Sequence, residues 1–383
     1  MRLLAAFDAA GTPDRAPGYT LCIAHRGTLF VAHPRPPPME IPPAPRAWAT
    51  SILVAASMLS CGGASSLDGG DASACALPND TGGPSLAPDS LTNHCGRGPA
   101  PGVCPSPGQA AYGQDGNYRI RVPTYTATPS TVSDSVTTLT WQRTPSALVT
   151  ADEAAALCDG LSLDGVTGFR LPTRLELVTI LDYGTQNPAM SPPFVIGSPG
   201  DEGCSWSTSV HGAFGAQGSV VCAQSGLVAT LLGGSVATVR CVAGTGPPVG
   251  YQAMGDTTFD LKTGLQWARD VPDGMSWDAG LAYCAALRTA GACDWRMPSV
   301  KELLSIVEDN GAVPPVDPAA FPGTPNDSFW TSTVAPGASS DVDVWGVLFQ
   351  DDLNAVIPYQ AGTAVTFVTG EGTTGLPRVR CVR

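Results

Sequence analysis

Apolar and polar positions divide the chain into three stretches. From Ala47 to Leu59 the residues are mainly apolar, a run shorter than the roughly 20 residues a spanning helix needs. From residue 61 to about residue 108, Gly, Pro, Ser, Asp and Ala dominate and no apolar periodicity exists. Such a segment buries too little surface to offset its ordering entropy, so it reads as a stalk, stapled locally by the cysteines within it. Beyond it, short patterned segments alternate with turns. Thr150-Ala151-Asp152-Glu153 has the form of a capping box, and Ala154, Leu157, Cys158 and Leu161 follow on one helical face. Ser276 caps a second such helix carrying Trp277, Leu281, Cys284 and Arg288. Thr173 with Glu176, and Ser299 with Glu302, form two more capping boxes behind Pro172 and Pro298. The segments around Trp141, Trp206, 227–232 and 239–242 read as strands, as do those around Trp267, Trp330, 345–349 and 378–382.

These elements recur. Trp141, Cys158, Arg170, Pro172 and Glu176 return as Trp267, Cys284, Arg296, Pro298 and Glu302, every pair 126 residues apart. The Trp206-Ser207-Thr208-Ser209 segment is echoed by Trp330-Thr331-Ser332-Thr333 at an offset of 124, and Arg240-Cys241-Val242 by Arg380-Cys381-Val382 at 140. One unit is thus expected at 110–243 and another at 250–383, each with two helices followed by a small antiparallel sheet, which makes the fold α+β. The short linker Gly244-Thr245-Gly246-Pro247-Pro248 predicts little core shared between them.

The amino terminus reads as an export signal. Residues 1–38 hold no apolar stretch long enough to cross a bilayer, and from Met39 a leader with Arg46, the apolar run and Ser60-Cys61 follow in signal-peptide order. Translation is expected to start at Met39, leaving 1–38 as a non-native extension, 39–60 as the signal peptide and 61–108 as the stalk. Met58-Leu59-Ser60-Cys61 resembles a bacterial lipoprotein cleavage box, with Cys61 as the lipid anchor and the only tie to a membrane. Met58 and Leu59 depart from that box, so ordinary signal-peptidase cleavage and secretion stand as the alternative. Cysteine usage agrees with export. Of 12 cysteines none lies in a Cys-x-x-Cys zinc pattern. One cysteine on the first helix and one in the last strand of each unit pair Cys158 with Cys241 and Cys284 with Cys381. Cys204 and Cys222 close a loop private to the first unit, and Cys75, Cys95, Cys104 and Cys293 stay unassigned.

The second copy, from Thr263-Gly264-Leu265-Gln266-Trp267 through Asp294-Trp295-Arg296-Met297-Pro298-Ser299 and Phe329-Trp330-Thr331-Ser332-Thr333 to Val379-Arg380-Cys381-Val382-Arg383, resembles the Lcl C-terminal (Legionella collagen-like protein carboxy-terminal) domain family. The first copy matches more loosely. The resemblance implies two tandem C-type-lectin-like domains, each closed by a helix-to-last-strand disulfide, and a place in bacterial surface and adhesive proteins. It brings no catalytic motif. The collagen repeat of the namesake is missing here.

Charge narrows the partners. With 20 Lys plus Arg against 33 Asp plus Glu the net is -13, and no basic run exists to follow phosphates, so nucleic acid is excluded and polyanions are disfavoured. After Cys61 only His94 and His211 remain, which supplies a histidine base or metal site poorly, and no nucleophile elbow or phosphate loop is present; no enzyme is expected. Glu176 and Glu302 read as capping residues, and Arg170 and Arg296 as anchors for carboxylate or backbone beside them. Asp341, Asp343, Asp351 and Asp352 bracket Trp345 and suit a hard cation, which makes calcium the one cofactor to test. The function expected is a non-catalytic module binding an extracellular glycan or protein ligand, with a structural spacer or assembly subunit of the cell envelope as the alternative.

Overall fold

The computed structural model describes residues 22–24, 28–30, 83–98, 102–197, 202–209, 218–231, 234–309, 314–336, 343–349, 356–360 and 375–383. Residues 1–71 and 72–383 fall into two separate compact units. In the first, β1 (Cys22–Ala24) pairs antiparallel with β2 (Thr28–Phe30). The expected signal peptide, Cys61 and Cys75 lie outside the described residues.

In the second unit the first repeat runs β3 (Tyr125–Ala127), β4 (Thr131–Asp134), β5 (Thr140–Gln142), α1 (Ala151–Cys158), β6 (Phe169–Arg170), α2 (Arg174–Thr179), β7 (Cys204–Trp206), β8 (Gly218–Cys222), β9 (Val228–Leu231) and β10 (Val242–Ala243). The second runs β11 (Tyr251–Met254), β12 (Thr257–Asp260), β13 (Leu265–Ala268), α3 (Trp277–Ala286), α4 (Val300–Ser305), β14 (Ser328–Val334), β15 (Asp343–Leu348) and β16 (Val356–Gln360). The fold is α+β. Each repeat opens with an antiparallel meander, β3-β4-β5 or β11-β12-β13, ahead of its helices, so the expected order of helices first and sheet after is incomplete. Both meanders turn on the same residues. Asp134 Oδ1 accepts from Val136 N at 2.8 Å, and Asp260 Oδ1 from Lys262 N at 3.0 Å.

The helices begin where the sequence has its caps. Thr150 with Glu153, Thr173 with Glu176 and Ser299 with Glu302 all form complete capping boxes, and Ser276 Oγ accepts from Ala279 N. Each box satisfies helix-end N–H groups that would otherwise stay orphaned.

The closing strand locks each repeat. Val242 pairs with both Trp141 and Arg170, and Val382 bridges Trp267 and Arg296 in the same way. Its neighbouring cysteine reaches the first helix: Cys158 is joined to Cys241 and Cys284 to Cys381. The arginine before that cysteine is buried too. Arg240 Nη1 donates to Gln142 O and Arg143 O, and Arg380 Nη1 donates to Ala268 O and Arg269 O. Burial pulls the Arg240 guanidinium down to about 10 and that of Arg380 to about 9. Cys204 is joined to Cys222 across β7 and β8, and Cys95 to Cys104. Cys293 is disulfide-bonded as well, to a cysteine other than these eight.

The expectation of little shared core is corrected by the packing. One hydrophobic cluster takes Leu177, Val178 and Leu181 from the first repeat and Val300, Leu303 and Leu304 from the second. A six-stranded sheet, β14-β15-β16-β9-β8-β7, crosses from one repeat to the other where Val356 pairs with Val228. The physical cause is in α2 and α4. Every residue of α4 and all but one of α2 is buried, and a helix with no solvent face must be enclosed on all sides. Two cations cross the join: Arg174 Nη2 donates to Val307 O, and Lys301 Nζ donates to Thr179 O, each at 3.0 Å.

The expected stalk also ends earlier than residue 108. Ser85, Leu86, Ala87, Asp89 and Ser90 are buried. Leu86 N donates to Lys262 O, Tyr183 N to Ser90 O, and Lys301 Nζ to Asp89 O, so this strap lies against both repeats.

Candidate functional site

The carboxylates that recur in both repeats are committed to structure. Glu302 takes Arg296 Nη1 and Nη2 on its two oxygens at 2.6 Å each, while its Oε2 also accepts from Ser299 N. Glu176 holds Arg170 the same way, at 2.8 and 2.6 Å. The Arg296 pair is buried, and the adjacent guanidinium and its hydrogen bonds hold the Glu302 carboxyl below its usual range against the opposing effect of burial. These pairs anchor the start of the second helix and offer no free acid.

A buried polar centre adjoins the second pair. Asp115 Oδ2 accepts from Ser90 Oγ and from Thr333 Oγ1, and burial pushes its carboxyl up to about 7. Burial likewise brings the Lys301 ammonium down to about 8. The hollow between Asp89, Asp115, Tyr118, Arg296 and Glu302 measures about 10 Å³, which is space for a water and no larger ligand. This centre joins the strap to the second repeat.

Of the four acidic residues proposed for calcium, Asp343 is the first residue of β15, where its carbonyl accepts from Ala335 N. Asp341, Asp351 and Asp352 lie outside the described residues. Among the described residues no group of three or more His, Cys, Asp or Glu side chains could hold a metal ion. No helix among them is long and apolar enough to cross a membrane.

A cleft of about 580 Å³ opens in the second repeat, lined among others by Asp256, Arg269, Asp270, Tyr283, Arg288 and Thr289. The turn between β11 and β12 supplies Asp256, the end of β13 leads into Arg269 and Asp270, and α3 with its following loop supplies the rest. Tyr283 is half-buried, with burial and the nearby Asp270 raising its hydroxyl pKa. Arg269 is fixed by donating from Nη1 to Gly255 O and from Nη2 to Ala319 O. Arg288 donates from Nη1 to Ala285 O and Leu287 O, which ties it to the carboxyl end of α3. Its Nε and Nη2, the Asp256 and Asp270 carboxylates and the Tyr283 hydroxyl take no hydrogen bond from or to another described residue.

The first repeat has the same frame with different side chains at most of these positions. At an offset of 126, Asp256, Asp270, Tyr283 and Arg288 correspond to Ser130, Thr144, Leu157 and Ser162, while Arg269 keeps its counterpart in Arg143, so both aspartates, the ring and one arginine are lost. Asp164 then clasps the hairpin turn: its Oδ2 accepts from Thr128 Oγ1 and from Ser130 N at 2.8 Å. Those bonds hold its carboxyl below the usual range. The corresponding residue of the second repeat is Ala290, with φ 51° against 50° for Asp164. The turn is the same, and the clasp is missing. The sequence brought out Arg288 as a helix-face position and Tyr283 only within the family resemblance; Asp256 and Asp270 lie where the copies differ, and Arg269, which recurs as Arg143, was passed over.

Two copies of one disulfide-closed α+β frame, fused through a common core, with one copy open at a polar cleft, define a tandem-repeat module. The Lcl C-terminal domain family matches residues 130–243 and 256–369, more than half of the chain, and the chain belongs to that family. Both matches begin at the same repeat position, in the turn of the first hairpin. No curated protein and no solved structure matches the chain. The family points to a surface-associated module.

Proposed function

We propose that the chain is an exported, non-catalytic surface module that binds a glycan or protein ligand in the cleft of its second repeat, held at the envelope through Cys61. The cleft is the observation that carries this reading. Its volume lies in the ~300–1,000 Å³ range of small-ligand sites. The carboxylates of Asp256 and Asp270, the Tyr283 hydroxyl and part of the Arg288 guanidinium are uncommitted, whereas Arg269 and the recurring arginines and glutamates are used within the frame. The disulfides suit an oxidising, extracytoplasmic setting. A net charge of -13 disfavours polyanions. Probing an array of glycans and matrix proteins with the disulfide-bonded protein tests the reading. Binding that weakens when Tyr283 is replaced by Ala supports it; an array with no bound component makes the chain an envelope spacer.

A further inference from the structure

We infer that the occupant of the cleft is a neutral pyranose unit of a glycan, seated on Tyr283 with adjacent hydroxyls between the aspartate and arginine heads. The inference rests on the ligand-binding reading and names its ligand. Two arginines and two aspartates line the cleft, so its fixed charges cancel. A charged ligand would gain from one pair while facing the other as like charge. A hydroxyl escapes that conflict. It donates and accepts at once, whereas a carboxylate only accepts and a guanidinium only donates. Asp256 and Asp270 as acceptors and the free edge of Arg288 as donor therefore suit hydroxyls. Tyr283 adds what a sugar needs besides: an apolar face for the C–H side of the ring and a polar edge for a hydroxyl.

The first repeat carries a clasp beside this position that the second repeat lacks. Asp164 sits in the left-handed region before Gly165 and closes the frame over Thr128 and Ser130. The second repeat keeps that backbone at Ala290-Gly291, although alanine, unlike aspartate, gains no local hydrogen bond to offset the left-handed strain. Met254 stands where the first repeat has the clasp's partner Thr128. The aspartate clasp is therefore two substitutions away, Met254→Thr with Ala290→Asp, and would set a carboxylate on the turn at Asp256, at the edge of the cleft.

Saturation-transfer NMR in EDTA on the disulfide-bonded protein tests this, with methyl α-mannoside, methyl β-galactoside and methyl β-glucoside as neutral probes. Methyl β-glucuronide and inorganic phosphate serve as charged probes. At least one neutral glycoside should bind saturably, and should weaken tenfold or more both in the double variant and in Tyr283→Ala. Melting curves on each variant establish that it folds. Tenfold tighter binding of glucuronide or phosphate overturns the neutral-sugar assignment while leaving a ligand site in the cleft. A glycoside signal unchanged in both folded variants overturns the location. No glycoside signal with wild-type protein, beside array binding that Tyr283→Ala abolishes, overturns the sugar and keeps the cleft; a blank array removes ligand binding itself.

Discussion

Removing the Cys284–Cys381 bridge tests how the halves of this protein depend on one another. The bridge closes a loop of 97 residues, and the chain-entropy relation gives it about 4.7 kcal/mol at 25 °C. The variant to use is Cys284→Ala with Cys381→Ala, which leaves no lone thiol to exchange with the other bridges. If unfolding exposes surface at a slope of about 3 kcal/mol/M in urea, the midpoint should fall by about 1.5 M. Because Leu177, Val178 and Leu181 share a cluster with Val300, Leu303 and Leu304, the loss should be felt in both repeats at once. Hydrogen exchange followed peptide by peptide through the transition reads this directly. Protection in α2 and α4 should disappear together at the same denaturant concentration. Loss in α4 with α2 still protected would refute the shared core and restore two independent domains.

The remaining predictions follow from the buried charges and the cleft. Arg296→Met strands the buried Glu302 carboxylate and should cost about 3–5 kcal/mol in urea unfolding, while Arg170→Met, whose guanidinium is 38% exposed, should cost about 1 kcal/mol or less. Asp115 has a folded pKa raised to about 7 over an ordinary value of 3.8, so the folded state binds its proton more tightly and stability falls as pH rises between those values. Asp115→Asn should flatten that decline by a few kcal/mol, leaving the smaller contributions of Asp89 and Asp260, whose carboxyls burial also raises; an unchanged slope in urea titrations at pH 4, 5.5 and 7 would contradict the assignment. Met254→Thr with Ala290→Asp should raise the melting temperature, as the turn gains an aspartate clasp in place of a strained alanine; a lower melting temperature would contradict that account of the turn.

What the sequence made legible was whatever the two copies hold in common. A constant offset exposed the Trp, Cys, Arg, Pro and Glu positions, and the capping boxes marked the helix starts because Ser or Thr three residues before Glu has a specific backbone use. Asp134, Thr137 and Leu139 recur as Asp260, Thr263 and Leu265 at the same offset and would have extended the repeat into the meanders. The shared core was harder to read, since six-residue helices such as α2 and α4 are too short for a full apolar period and carry Arg174 and Lys301 inside. The strap was hidden for a similar reason: Ser85, Asp89 and Ser90 are buried through hydrogen bonds and not through apolar surface. Apart from Arg269, which recurs as Arg143, the polar residues of the cleft lie where the copies diverge, so a search for recurrence passes over them. Reading the aligned copies for changes of chemistry, Leu157 to Tyr283 and Asp164 to Ala290 above all, is the signal that finds it.

The central claim is that the second repeat takes a ligand and the first does not. A crystal of the disulfide-bonded protein soaked in molar methyl β-glucoside, methyl β-galactoside or methyl α-mannoside examines both repeats in the same molecule. The account predicts a sugar ring on Tyr283 with hydroxyls bridging Asp270 and Arg288, and none at Leu157, where Asp164 stays on Ser130. Sugar at the first repeat as well, or an empty second cleft beside an ordered sugar elsewhere, would contradict it.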